Sequence, residues 1–344
     1  MSTGARVLLL ITGLVVVLGV CAIGVVVFTD IGEQRAEPVD RTPEAQTKPT
    51  FTAGVQAGPT MRDARAAHRL GAPIARVELQ IEEPVSRLRR VVAGYAREQV
   101  QVLVVSGFER RLPSPAEAKS LRAWALAVGP RSSLWTDATR HLAVRQIEFG
   151  TETSFAYQGT QKRGGEYAKR AREAAIALRG TGVGLLIQAD DANQSDQWID
   201  QMYDAVPDLH EYAAGWTVHP YGPQWRTRVD DTIVDTADHG APRLPIALTE
   251  YGVASDDGRC LDKNYDWGNC LTYEQAAGVL RKVVRALRAE YPRVSLFVYY
   301  NNHDLAPPGH TTDAEAYFGA QQQSGLAKGA LTETAKRIFA TGMP

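Results

Sequence analysis

Glu152 closes the run Gln146-Ile147-Glu148-Phe149-Gly150-Thr151-Glu152, and Glu250 sits near the end of Leu244 to Gly252. Each carboxylate ends a stretch that reads as a buried strand. Cleaving a glycosidic bond takes two carboxylates, one to protonate the leaving oxygen and one to attack or to activate water. Parallel barrel strands all aim their C-terminal ends at one face, so groups distant in sequence can converge there. With retention of configuration the pair stands about 5–5.5 Å apart. One carboxyl must then hold a proton near neutral pH while the other stays ionised. Glu152 and Glu250 are the candidates for these two states. An ionised Glu250 calls for donors, and Arg76, His219 and Tyr221 are candidates. Glu148 lies four residues before Glu152 on the same strand parity, deeper in a barrel, and reads as a structural hydrogen-bonder.

The elements that would position these groups alternate strand and helix. Strand candidates cover residues 51–58, 73–79, 100–107, 143–152, 183–190, 214–222, 244–252 and 294–302. They are short and apolar on both parities, as parallel strands covered on both faces must be. Eight of them fit an α/β fold of the (β/α)8 (TIM) barrel type over residues 51–344. Ser114-Pro115-Ala116-Glu117 reads as a capping-box helix start, and Thr272-Tyr273-Glu274-Gln275 opens another helix. A helix from Tyr167 to Leu178 should stop at Gly180, and a last one around Thr332 to Phe339 should complete the outer ring.

The chain's start has another character. Val7 to Phe28 carries no charge and is long enough for a bilayer-crossing helix. Arg6 before it and Asp30 and Glu33 after it favour a cytoplasmic N-terminus. Residues 1–28 are therefore expected to be an uncleaved membrane anchor, with a cleaved signal peptide as the alternative. Residues 29–50 read as a flexible stalk. The barrel would lie outside the cytoplasm, tethered to the lipid bilayer, or be secreted if the apolar segment is cleaved. Cys21 falls in the apolar run; Cys260 and Cys270, close together in a polar loop, should pair as a disulfide in such a compartment.

Other chemistries read poorly. A formal charge of −1 with scattered signs gives no electrostatic case for nucleic acid. There is no phosphate-binding glycine loop and no Gly-x-Ser-x-Gly elbow. No metal-ligand spacing stands out, so neither metal nor cofactor is expected.

The two glutamate motifs resemble those of the clan A glycoside hydrolases, retaining (β/α)8 enzymes, with families 39 and 5 nearest. The resemblance spans everything after the stalk. Strand four of that group often reads WEIWNEP, and Glu148 and Glu152 match its two acidic positions; strand seven often reads I-x-x-TE-x-G, matched by Thr249-Glu250-Tyr251-Gly252. The resemblance implies Glu152 as acid/base and Glu250 as nucleophile. It also implies Arg76 as a supporting cation and Tyr221 as a donor to the nucleophile. The chain departs from the group where Thr151 replaces an Asn that binds the substrate 2-hydroxyl, and where Thr153 replaces a Pro. Strand eight ends in Tyr299-Tyr300-Asn301-Asn302 rather than at a Trp platform; Tyr299 and Asn301 are candidate sugar contacts.

Several residues carry two readings. His219 leans towards the site because Pro220 and Tyr221 turn the chain at the barrel mouth. Trp225 and Trp267, in polar loops, suit sugar stacking or loop anchoring equally. Trp216 has the opposite parity to His219 and reads as packing. Asp190 and Asn193 read as helix caps more than hydroxyl binders.

The expected function is retaining hydrolysis of β-linked glycosides in a cell-envelope or secreted polysaccharide. The alternatives are a non-catalytic saccharide-binding barrel, supported by the Thr151 and Thr153 departures, and an envelope assembly scaffold.

Overall fold

A computed structural model describes residues 50–190, 197–262 and 267–343. The apolar run, the stalk up to residue 49, and Asn193 lie outside the described residues. Among the described residues no helix is long and apolar enough to cross a membrane.

Eight strands close a barrel in sequence order, every neighbouring pair parallel. They are β1 Thr52–Gln56, β2 Ile74–Gln80, β3 Gln101–Gly107, β4 Gln146–Phe149, β5 Gly184–Gln188, β6 Gly215–Val218, β7 Ile246–Tyr251 and β8 Val294–Tyr299. A helix follows each strand: α1 Met61–Arg69, α2 Val85–Arg97, α3 Pro115–Val128, α4 Gly164–Leu178, α5 Trp198–Ala205, α6 Trp225–Asp238, α7 Tyr273–Glu290 and α8 Ala330–Thr341. All eight expected strands form. The expected capping box closes at Ser114 with Glu117, and a second one forms at Thr272 with Gln275. Cys260 and Cys270 form a disulfide in the loop between β7 and α7.

Strand parity sorts the side chains into two cores. Val77, Ile147, Leu248 and Phe297 face outward into the large core shared with the helices. Leu103, Leu186, Ala247, Leu296 and Val298 face inward and fill the lower barrel. Above that apolar layer the next inward positions are polar and buried: Arg76, Glu148, Gln188, His219 and Thr249. Period-two alternation on every strand aims them at one place.

β7 breaks the alternation on purpose. Its register against β8 shifts between Leu248 and Tyr251. A bulge of this kind re-aims side chains. Thr249 stays inside, Glu250 turns to the barrel mouth, and Tyr251 joins the outer core.

Candidate active site

The barrel mouth holds a cleft of about 800 Å³, with Glu152 and Glu250 among its lining residues. Below them Arg76, fully buried, satisfies all its donors. Its Nε and Nη2 bind Glu148 at 2.6 and 3.2 Å, and Nη1 binds Glu250 at 2.5 Å and Gln56 Oε1 at 2.8 Å. The remaining Nη2 hydrogen goes to Thr151 Oγ1 at 3.0 Å. A guanidinium has five hydrogens, and each has a partner here. Burial alone would strip its proton, but Glu148 and Glu250 override this and push the Arg76 pKa upward.

Glu148 takes the structural role expected of it. Burial would raise its pKa; Arg76, and then His219, hold it down at about 2. Thr249 Oγ1 also donates to Glu148, at 2.8 Å, and therefore accepts from His219 Nε2 at 3.0 Å.

His219 ties the floor to both cleft carboxylates. Its Nδ1 lies 3.2 Å from Glu152 Oε1 and 3.6 Å from Glu250 Oε2. Burial opposes charge on the ring, yet Glu250, Glu148 and Glu152 raise its pKa to about 10. That shift favours the imidazolium form, in which both ring nitrogens donate. The buried Asp190 accepts the His219 backbone N–H at 2.9 Å and fixes where the ring starts. Asp190 is thus neither a simple cap nor a cleft residue; it anchors β6 to β5.

One oxygen of Glu152, one ring nitrogen of His219 and one oxygen of Glu250 lie within 4.8 Å of one another. These are metal-ligand types, converging from three strands, which spacing in the sequence hid. An imidazolium has no lone pair to offer a metal, and both carboxylates already accept hydrogen bonds. The set fits proton chemistry.

Tyr221 reaches Glu250 Oε2 at 3.0 Å, the contact the resemblance implies. Its ring is set edge-on to Phe318 and Tyr300. Burial, then the Glu250 charge, pushes its pKa up, so it stays a donor.

Glu152 differs from its expected state. It sits on a sharp turn at the end of β4, where Gly150 has φ +76° and Glu152 itself φ +48°. A non-glycine residue there costs on the order of 1–3 kcal/mol, a pattern common at functional sites. Burial would raise its pKa, but hydrogen bonds from His219 and from Tyr157 lower it. These donors favour the carboxylate form of Glu152 over the carboxylic acid expected from sequence. The causes are His219 first and then Tyr157, on the turn Ala156–Gln158, whose hydroxyl donates to Glu152 Oε2. Nothing in the sequence marked Tyr157, because it stands on an irregular loop.

Thr151 lines the cleft, and its hydroxyl hydrogen remains to be donated while its oxygen accepts from Arg76. Thr153 is buried and anchors the loop through its N–H to Gln188 Oε1 at 2.7 Å.

Four candidate contacts need correction. Tyr299 is 0% exposed in the outer core, because parity sends it outward; Tyr300, the next residue, lines the cleft instead. The Tyr300–Asn301 peptide is cis. Asn301 is used locally: its Oδ1 accepts Asn302 N–H, and its main chain binds Phe318 and Ala320. Trp225 opens α6 and is only 4% exposed, packed on Tyr291 with Arg226 over its ring. Trp267 packs against the main core beside the Tyr251 hydroxyl. Both tryptophans are anchors, since burying so large a ring outweighs its exposure in a polar loop. Trp216 is buried packing, as its parity required.

No protein-family model matches the chain, and a search of curated proteins finds no match. Solved structures do match. The GH39 β-xylosidase from Caulobacter crescentus aligns with TM-score 0.61 at 14% identity, over 86% of this chain and 72% of that one. Fungal β-1,4-galactanases align with TM-score 0.58 at 12% identity, over 84% and 100%. The endo-β-1,4-mannanase from Thermotoga petrophila aligns with TM-score 0.52 at 10% identity, over 86% and 78%. The chain shares their barrel fold. These are glycoside hydrolases of the clan A type that the two glutamate motifs resemble.

Proposed function

We propose that this barrel hydrolyses β-glycosidic bonds with retention, Glu250 attacking the anomeric carbon and Glu152 serving as acid and then base. One observation carries the reading: Glu152 and Glu250 stand at the ends of β4 and β7 with carboxylate oxygens within 4.8 Å across one open cleft. That proximity suits a retaining pair better than an inverting one, which leaves room for water at about 6.5–9.5 Å.

The neighbouring groups fit the roles. Arg76 and Tyr221 keep Glu250 supplied with donors on both oxygens. In the first step Glu250 bonds to the anomeric carbon as Glu152 passes a proton to the departing oxygen. In the second, ionised Glu152 takes a proton from water, which displaces Glu250. The Thr151 hydroxyl is placed to bind the 2-hydroxyl that an Asn binds in the related group.

The substrate class we infer is a β-linked saccharide of the cell envelope or of secreted polysaccharide. The β-linked specificities named for the mannanase and galactanases support it. The apolar run from Val7 to Phe28 and the disulfide support an extracytoplasmic, membrane-tethered barrel.

The test is incubation of the full chain with aryl β-glycosides and envelope polysaccharides, beside Glu250→Gln. Release that vanishes in the variant, with the β-anomer as first product, is expected. Equal release by both proteins, or an α-anomer first, overturns the reading. Saccharide binding without release by either form would make this a binding barrel.

A further inference from the structure

Glu152 has two oxygens, and both accept. Oε1 faces the buried His219 at 3.2 Å, on the floor of the cleft. Oε2 faces the cleft and takes the Tyr157 hydroxyl. A carboxyl that is to protonate a leaving group needs one oxygen carrying hydrogen and open to the substrate. Oε1 cannot be that oxygen while an imidazolium points at it. Oε2 can, and Tyr157 occupies its place.

Tyr157 is also lightly packed. Its ring is 58% exposed, on a single turn between Phe155 and the left-handed Gly159, and touches Phe155 only edge-on. Turning towards solvent breaks little packing.

The geometry points to Tyr157 as a positioning latch: its hydroxyl caps the cleft-facing oxygen of Glu152, and an incoming saccharide must displace it before Glu152 can deliver a proton. The inference rests on the reading of Glu152 as acid/base. The proton account balances. Once Tyr157 swings away, keeping its own hydrogen, Glu152 takes up a proton from the solvent pool of hydronium or buffer acid. That proton leaves with the departing oxygen as Glu250 bonds to the anomeric carbon and the glycosidic bond breaks. In the return step Glu152 takes a proton from the attacking water as the bond to Glu250 breaks; that proton returns to solvent as the product leaves and the latch closes again.

The latch couples protonation to occupancy. The other groups around Glu152 are buried or half-buried: His219 and Tyr221 after β6, Arg76 on β2, Glu250 on β7, Asp190 after β5 and Tyr300 after β8. Tyr157 alone among these is largely exposed and on a short turn.

The experiment compares the full chain with Tyr157→Phe, which keeps the ring and removes the hydroxyl. Infrared difference titration without substrate, with Glu152→Gln identifying the Glu152 carboxyl band, reads protonation directly. The midpoint should rise by about one pH unit, the size expected when a hydrogen bond to a charged group is lost. An unchanged midpoint overturns the latch, whether or not the protein is a glycosidase. With an aryl β-glycoside as probe, the basic limb of kcat/KM should move up by a similar amount. A shifted titration with an unmoved limb overturns the coupling to catalysis. Absence of any turnover strikes at the proposed function and leaves the titration result standing.

Discussion

Arg76 on β2 reaches Glu250 on β7 at 2.5 Å across 174 positions of sequence, and the same guanidinium grips Glu148 on β4. One buried cation therefore holds the floor of the barrel and orients one cleft carboxylate. Replacing it separates the two jobs. Arg76→Met leaves Glu148 charged and buried without its partner, and breaking such a pair costs about 3–5 kcal/mol. Urea unfolding should show that loss. Arg76→Lys keeps the charge but offers a single ammonium in place of a planar fork of five hydrogens. It should recover much of the stability and little of the turnover. Equal turnover in Lys and wild type would mean that Glu250 does not depend on this geometry.

The floor also sets the pH dependence of stability. Glu148 is lowered to about 2 in the folded protein. A depressed carboxylate contributes stability above its unfolded value near 4.3, and this is lost as pH falls towards 2. His219 is raised to about 10 from 6.5. Its contribution is complete below 6.5 and is lost as pH rises through 10. Stability should therefore peak between about pH 5 and 6.5 as far as these two groups decide it. His219→Gln should flatten the decline between 6.5 and 10 while leaving the acid limb. A decline of unchanged slope in that variant assigns it to other groups.

Tyr299 and Tyr300 are adjacent and point opposite ways. Tyr300→Ala should raise KM for a saccharide several-fold with little change in unfolding free energy, since the side chain lines the cleft. Tyr299→Ala removes a wholly buried ring from the outer core. It should cost about 3–5 kcal/mol. Reversed effects, read by kinetics and urea melts on both variants, would mean that the parity of β8 is misjudged.

This pair shows what a sequence can and cannot reveal. The eight strands are legible because each is a short apolar run bounded by turn residues. Glu152 and Glu250 are legible because each ends such a run. An aromatic doublet at a strand end says only that one ring faces in. The inward set Leu296, Val298, Tyr300 decides which, and it depends on barrel closure. The β7 bulge is likewise invisible, though without it the Thr249-Glu250 alternation would send Glu250 outward. The lowered pKa of Glu152 is hidden for the same reason. Its donors come from β6 and from a loop, and only the fold brings them together.

The turn before Glu152 is the most exposed to a small change. Gly150 has φ +76°, and a Cβ added there would stand 2.5 Å from the Phe108 ring and 2.6 Å from Thr153 Oγ1. Gly150→Ala therefore strains the backbone and drives a methyl into packed atoms together. The left-handed conformation alone costs an alanine on the order of 1–2 kcal/mol. The larger effect should be on chemistry. Glu152 is two residues on, and a displacement of about 1 Å at a reacting group can cost 10²-fold in rate. Gly150→Ala should thus lose activity far beyond its loss of stability, chiefly in kcat. The loss should be greatest for substrates with poor leaving groups, which need the proton most. Activated aryl glycosides should suffer less. A uniform loss across leaving groups, tracking the drop in Tm, would mean that Gly150 serves folding alone and that the turn does not aim Glu152.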